Sequence, residues 1–356
     1  MYSTDSIHAV STTAPSIETG RRGEPGLSGH AWLDSMAEAA LAGQLPDAQS
    51  GLRLLTDPGI ELLPLLQAAF RVRFHHFGRG VRIHILNNVQ NGYCSEDCNY
   101  CAQAKNSKAP IEKYSIKSDE EILEGARKAY ESGAYRYCMV SSGRSPHAER
   151  IDHMSKLIRE IKSRWPVEVC LSAGFLDANK ARELKEAGLD RYNHNLNTAD
   201  GYYGSICTTH SYGDRLNTLQ EARRAGLEVC SGIIIGMGEK PEEIVEVATT
   251  LRSLQARSIP VNFYVHVEGA QLGAVDQLTP AYALRALALF RFFNPDAEVR
   301  AAGGRESNLR GMESMALYPA NSLFAEGYLN TTGHMAEKTV KMVEDAGFFV
   351  EKIEEE

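Results

Sequence analysis

Three cysteines stand at the spacing Cys94-x-x-x-Cys98-x-x-Cys101, among Gly92, Ser95, Asp97 and Asn99. These neighbours favour a loop over a helix. A loop can wrap three thiolates around one face of a metal cluster. A [4Fe–4S] cube ordinarily takes four thiolates, so three leave one iron with an open position. A bidentate small molecule fits there, and S-adenosyl-L-methionine (SAM) offers an amino and a carboxylate group. An electron passed into its sulfonium would break a C–S bond and release a 5′-deoxyadenosyl radical. The competing reading is a structural zinc site with a fourth ligand recruited from elsewhere, because zinc prefers four tetrahedral ligands.

Four more cysteines follow, Cys138, Cys170, Cys207 and Cys230. The total of seven is odd, and none occurs after Cys230. In a chain that reads as cytoplasmic, metal binding or catalysis is then favoured over disulfides. Cys138, Cys170 and Cys230 each fall inside a β-prone run. Alternate strand residues point into a barrel, so three thiols from three strands can meet in its lumen. Each taken alone is equally readable as a small buried hydrophobe.

These residues need a frame. From residue 81, short β-prone runs alternate with amphipathic helical stretches. The strand candidates are 81–89, 135–142, 167–173, 191–197, 228–237, 261–267, 297–303 and 322–327. The alternation predicts right-handed βαβ units and a parallel sheet. Eight units suit an α/β fold of the (βα)8 TIM-barrel type, with an open doubly wound sheet as the alternative. The triplet after the first strand then lies at the C-terminal mouth, where barrel active sites sit. Segments 30–43, 46–56 and 59–76 predict an N-terminal helical extension. The expected organisation is an irregular segment 1–29, helices over 30–78, a barrel over 79–350 and a tail over 351–356.

The fourth strand candidate alternates Asn193, Asn195 and Asn197 with His194 and Leu196. Strict alternation puts the three amides on one face. In a closed barrel that face is the lumen, where unpaired amides are costly unless a ligand or water satisfies them. Asn262 and Arg300 are further polar residues in apolar strands. A buried Arg300 requires a partner, either a ligand or a strand-end ion pair. The Gly-rich run Gly232–Glu239 matches neither a P-loop nor a dinucleotide fingerprint.

The net charge of -8 over 356 residues argues against a nucleic-acid partner. No apolar stretch is long enough for a membrane helix. The Ser/Thr-rich N-terminus reads as an irregular lead-in rather than a targeting peptide.

Residues 58–350 resemble the biotin synthase family of radical SAM enzymes. The likeness is carried by GYCSEDCNYCAQ, YCMVSSGR, VCLSAGFL, LDRYNHNLNT, THSYGDRLNTL, EVCSGIIIGMGE, PVNFYVHVEG and VRAAGGRE, in the family order. The resemblance implies a sulfurtransferase that inserts sulfur into dethiobiotin at the last step of biotin formation. It implies that Cys94, Cys98 and Cys101 hold the [4Fe–4S] cluster, and that Cys138, Cys170, Cys230 and Arg300 hold a [2Fe–2S] cluster that donates sulfur. It places Tyr100, Asn195, Asn197, Arg215 and Ile234 near SAM, and Asn193, Asn195 and Asn262 near dethiobiotin. It also implies a homodimer, a flavodoxin-type electron donor and iron–sulfur assembly machinery as partners. Three features depart from the family pattern: Asn197 where many members carry a carboxylate, the additional Cys207, and the segment VEGAQLGAV. The rival readings are another enzyme of the same superfamily, such as a maturase or amino-acid mutase, and a non-catalytic iron–sulfur or zinc protein.

Overall fold

The computed structural model describes residues 27–275, 278–326, 329 and 335–353. Three helices lead: α1 Leu27–Leu41, α2 Ala48–Thr56 and α3 Leu62–Phe77. The first half of the barrel comprises β1 Gly80–Gln90, α4 Asp119–Glu131, β2 Arg136–Ser141, α5 Ala148–Arg164, β3 Glu168–Ser172, α6 Ala178–Glu186 and β4 Arg191–Asn193. The chain continues through α7 Asp200–Ile206, α8 Tyr212–Arg224, β5 Glu228–Cys230, β6 Ile233–Ile235, α9 Pro241–Ser253 and β7 Ser258–Phe263. It ends with α10 Pro280–Phe293, β8 Glu298–Ala301, α11 Arg305–Leu309, a 3₁₀ helix Arg310–Leu317, β9 Ser322–Ala325, α12 Ala336–Asp345 and β10 Phe349–Val350.

The sheet closes. β9 pairs parallel with β1, Arg82 opposite Ser322 through Ile85 opposite Ala325, so the first and last staves meet and the open-sheet alternative falls. β5 and β6 both pair with β7 and form two halves of one stave, which makes an eight-stave barrel. The stave breaks at Ser231 and Gly232 because β7 comes very close there. A Cβ on Gly232 would lie 1.8 Å from the Pro260 carbonyl oxygen, so only glycine fits.

Helix α10, PAYALRALALFRFF, is buried around most of its circumference. The reason is that it is covered twice, by the barrel on one side and by α1–α3 on the other. Arg73 on α3 ties the extension to the base of the barrel by donating to the carbonyls of Gly80 at 2.6 Å and Ala320 at 3.2 Å.

Several boundaries differ from the sequence reading. The fourth strand stops at Asn193, because the chain turns and Asn197 adopts a left-handed φ of 70°, a conformation Asn tolerates better than most residues. Period-two alternation therefore does not extend to Asn195 and Asn197. The sixth stave starts earlier than expected, at Ser258, and ends at Phe263. Helix α7 and strand β10, which pairs with β1 at Gly80 and Val81, were not anticipated. Helix α1 starts at Leu27, inside the segment expected to be irregular. The rest of that segment, Gly327 of the last strand candidate and residues 354–356 of the tail lie outside the described residues.

Candidate active site

The barrel interior is organised in three layers. The lowest is a belt of charge. Arg136 and Glu298 are 0% and 2% exposed. Glu298 accepts from Arg136 Nη1 at 3.0 Å and Nη2 at 3.1 Å, from Ser258 Oγ at 3.0 Å, from Ser322 Oγ at 3.2 Å, and from Arg300 Nη2. Arg136 Nε also reaches Glu168 at 2.8 Å, and Glu168 in turn meets Arg191 at 3.2 Å. Burial pushes the Glu298 carboxyl up, but Arg136, His84 and Arg300 outweigh it and hold it well below the usual carboxylate range. Burial keeps His84, beside it, well below the usual imidazole range.

The middle layer holds the wall cysteines. Cys138 and Cys170 face each other in register across β2 and β3. Cys230 is opposite Asn193 on β4. The three thiols, Arg300 and Asn193 line one small cavity with Leu86 and Phe324. Hydrogen bonding from Cys170, supported by the Arg300 guanidinium, holds Cys138 and Cys230 below the ordinary thiol range. The thiolate is the ligand form of cysteine. Arg300 commits Nη2 to Ser258 at 2.8 Å and to Glu298, and Nε to Ser322 at 3.2 Å. Among the described residues its Nη1 makes no hydrogen bond. Three thiols and one uncommitted guanidinium nitrogen around one buried space fit a four-ligand [2Fe–2S] cluster.

The upper layer is a chamber of ≈ 260 Å³. Its lining includes Tyr100, Asn193, Asn195, Asn197, Arg215, Ile234 and Asn262. A neighbouring cavity of ≈ 170 Å³ contains Cys94, Cys98 and Cys101 and shares Tyr100, His194 and Arg215 with the chamber. Every residue expected to bind a ligand thus lines one of these contiguous spaces. His194, which alternation would turn away from the asparagines, also lines both. Its Nε2 is buried with no hydrogen-bond partner among the described residues, an unmet group of the kind a polar ligand satisfies.

Individual polar groups are fixed before any ligand arrives. Asn262 donates to the Ile233 carbonyl at 3.1 Å and accepts from Gly303 N at 3.0 Å. Asn197 donates to the Tyr100 hydroxyl at 2.6 Å. Arg215 donates to the Asn195 carbonyl at 2.9 Å and to the Tyr203 hydroxyl. Asn193 donates to Cys230 Sγ at 3.2 Å and to Asn195 Oδ1 at 3.2 Å, linking the middle and upper layers. The Gly-rich run after β6 is occupied by its own chain: Glu239 accepts from Gly236 N at 2.7 Å and Met237 N at 2.8 Å.

The triplet loop is clamped to the segment after α7. Asp97 Oδ1 accepts from the amides of Thr208 at 2.9 Å and Thr209 at 3.1 Å, and Asn99 N donates to Ile206 O at 2.9 Å. Burial raises Glu96, but Thr209, His210 and Arg144 bring its carboxyl below the usual range. Cys207 lies inside this clamp, its Sγ 3.7 Å from that of Cys98. Sequence reasoning missed Glu96, His210, His84, Arg136 and Glu298.

Comparison with known proteins agrees with this geometry. Residues 90–251 match the Radical SAM superfamily, and residues 260–349 match the Biotin and Thiamin Synthesis associated domain. A biotin synthase of Acaryochloris marina is 54% identical over 301 residues, covering 85% of this chain and 87% of the relative. That of Bacillus subtilis is 42% identical over 324 residues, covering 91% and 96%. The chain belongs to the biotin synthase family. Membership brings with it a [4Fe–4S] cluster, SAM and a [2Fe–2S] cluster. Solved structures share the fold. A methylornithine synthase superposes with a TM-score of 0.77 at 19% identity, covering 89% of this chain and 97% of its own. An FeFe-hydrogenase maturase from Carboxydothermus hydrogenoformans gives 0.76 at 16% identity, covering 91% and 80%.

Proposed function

We propose that this chain converts dethiobiotin to biotin, and that its three interior layers divide the work. The observation that carries the reading is the convergence of Cys138, Cys170, Cys230 and Arg300 on one buried space directly beneath the asparagine chamber. When bound, the SAM-ligated cube supplies a carbon radical and the [2Fe–2S] cluster supplies sulfur. A radical is chemically required, since the carbons that gain sulfur are not acidic and no base could activate them.

The chain's own residues bind, orient and exclude water. Cys94, Cys98 and Cys101 hold the cube at the mouth. Tyr100, Asn195, Asn197, Arg215 and Ile234 receive SAM. The amide Asn197 offers a ribose hydroxyl a neutral bond in place of a charge-assisted one. Asn193, Asn195 and Asn262 receive the ureido ring and carboxylate chemistry of dethiobiotin, to which an amide's two donors and one acceptor are suited. Val140, Phe263, Val265 and Val267 supply apolar walls, so a radical formed there meets little water.

A flavodoxin-type donor, iron–sulfur assembly machinery, a homodimer and a cytoplasmic setting complete the proposal. No helix among the described residues is long and apolar enough to cross a membrane. The test is anaerobic incubation with SAM, a reductant and dethiobiotin, scored for biotin and 5′-deoxyadenosine. Colourless, zinc-bearing protein that yields neither product would refute the reading.

A further inference from the structure

Cys207 is not needed by either cluster, yet it is buried against Cys98 and His210. Its Sγ lies 3.7 Å from Cys98 Sγ, and 3.3 Å and 3.7 Å from Nδ1 and Nε2 of His210. One ligand atom from each of the three residues falls within 4.8 Å of the others. Two thiolates on one tetrahedral zinc, each at ~2.3 Å, stand ~3.8 Å apart, and a thiolate and an imidazole nitrogen stand ~3.6 Å apart. The separations of Cys207 Sγ from Cys98 Sγ and from His210 Nε2 match a single shared ion, whose entry also requires that sulfur to leave the Nδ1 side of the ring, 3.3 Å away. Thiolates on different irons of one cube lie farther apart than this, so Cys207 is not placed as a fourth cube ligand.

The imidazole is oriented for the same task. His210 Nδ1 lies 2.5 Å from Glu96 Oε2. With the proton on Nδ1 and donated to Glu96, Nε2 presents its lone pair. A carboxylate that orients a metal-bound histidine is the usual outer partner of such sites. Nε2 now accepts from Arg215 Nη2 at 3.0 Å. The guanidinium is a rigid planar fork, so Arg215 must move as a unit, giving up its bonds to Asn195 and Tyr203 as well, for Nε2 to take an ion. Two thiolates and a neutral imidazole also balance the charge of a divalent ion.

We propose that before its cube is built the chain holds one soft divalent metal ion, of the zinc class, on Cys98, Cys207 and His210, with water as the fourth ligand. Because Cys98 is shared, this ion and the [4Fe–4S] cluster exclude each other. The binding site stands on geometry alone, and only the exclusion rests on the assignment of Cys98 to the cube.

The test uses the full chain, freed of clusters and kept reduced under argon, with cobalt(II) as the probe. Binding of one ion should produce thiolate-to-cobalt charge-transfer absorption and an intense tetrahedral visible band, both displaced by zinc. Cys207→Ala and His210→Ala should abolish these bands, and Cys207→Ser should do the same if the alanine variant folds poorly. Glu96→Gln should weaken binding about 10–100-fold, as expected for loss of a group orienting a metal-bound imidazole. Cys94→Ala, Cys101→Ala and Cys170→Ala should retain the bands, which separates this site from the triplet alone and from the wall thiols. Full binding by Cys207→Ala, or loss of binding in Cys94→Ala, would overturn the site. In a second arm, zinc added first should slow cube assembly from iron(II) and sulfide in the parent but not in Cys207→Ala. Equal assembly rates in the parent with and without zinc would overturn the exclusion while leaving the proposed reaction to its own assay.

Discussion

Replacing Glu298 by glutamine removes one negative charge from the barrel floor at nearly constant shape. Arg136 retains a second carboxylate, Glu168, 2.8 Å from its Nε. Arg300 has no such reserve: its remaining bonds are to the hydroxyls of Ser258 and Ser322 and to the ring of His84. The buried guanidinium then loses its only carboxylate partner among the described residues and keeps only the wall thiols Cys138 and Cys230 to offset its charge, so the loss should approach ~3 kcal/mol, the low end for a broken buried pair. The glutamine carbonyl still accepts one bond, which favours the lower end. The assay is the urea midpoint of the reduced, cluster-free chain under argon, compared at a common slope. Adding Arg300→Met removes the stranded cation, so the double variant should be more stable than the sum of the two single losses predicts. A loss below ~1 kcal/mol for Glu298→Gln, or strict additivity in the double variant, would refute the reasoning. The pH dependence carries a further sign. Glu298 is held low, so its contribution is complete above the unfolded carboxylate value of ~4.3 and fades only in stronger acid. The gap between parent and variant should stay constant from pH 8 to pH 5, then narrow.

Three further outcomes follow from the same structure. His194 is held well below the usual imidazole range by burial, then by Arg215 and His210. The unfolded chain therefore takes up its proton first, and stability should fall by ~1.4 kcal/mol per pH unit below ~6.5 on its account; His194→Gln should flatten that slope by this amount in urea titrations at several pH values. Gly232→Ala drives a methyl into the Pro260 carbonyl and should cost more than ~4 kcal/mol, the range reserved for severe backbone or packing conflicts, so soluble protein with an unchanged urea midpoint would contradict the close approach. Cys170→Ala should keep SAM cleavage, measured as 5′-deoxyadenosine, while losing biotin formation and the [2Fe–2S] absorption; Cys94→Ala should lose all SAM cleavage, and Arg300→Ala should be milder than either.

The wall ligands were legible because each lies in a strand whose period is two. The belt beneath them obeys the same period and was overlooked. Arg136, Glu168, Arg191, Glu228 and Glu298 each stand two residues before Cys138, Cys170, Asn193, Cys230 and Arg300. A charged residue at that offset in five strand candidates is a visible sign of a second layer, inward at Arg136 and Glu298 and reaching the surface at Glu228, which pairs with Arg191 at 2.8 Å. The fourth strand misled for the opposite reason: the alternation of Asn193, Asn195 and Asn197 continues after the backbone has left the strand, so the three amides share a chamber without sharing a pleat. The contact between Cys98 and Cys207 spans 109 residues and is made by two loops clamped together through Asp97 and Asn99. No local pattern encodes a contact of that kind.

The charged belt also sets the traffic through the barrel. Its buried centre, Arg136, Glu298 and the neighbouring His84, closes the space below the wall thiols, and those thiols adjoin the asparagine chamber through Val140, Ser172 and Asn193. Any reagent that reaches Cys138, Cys170 or Cys230 must enter by the mouth and cross the same space a substrate fills. The barrel is a blind corridor, so delivery to the wall and occupancy of the chamber alternate in time.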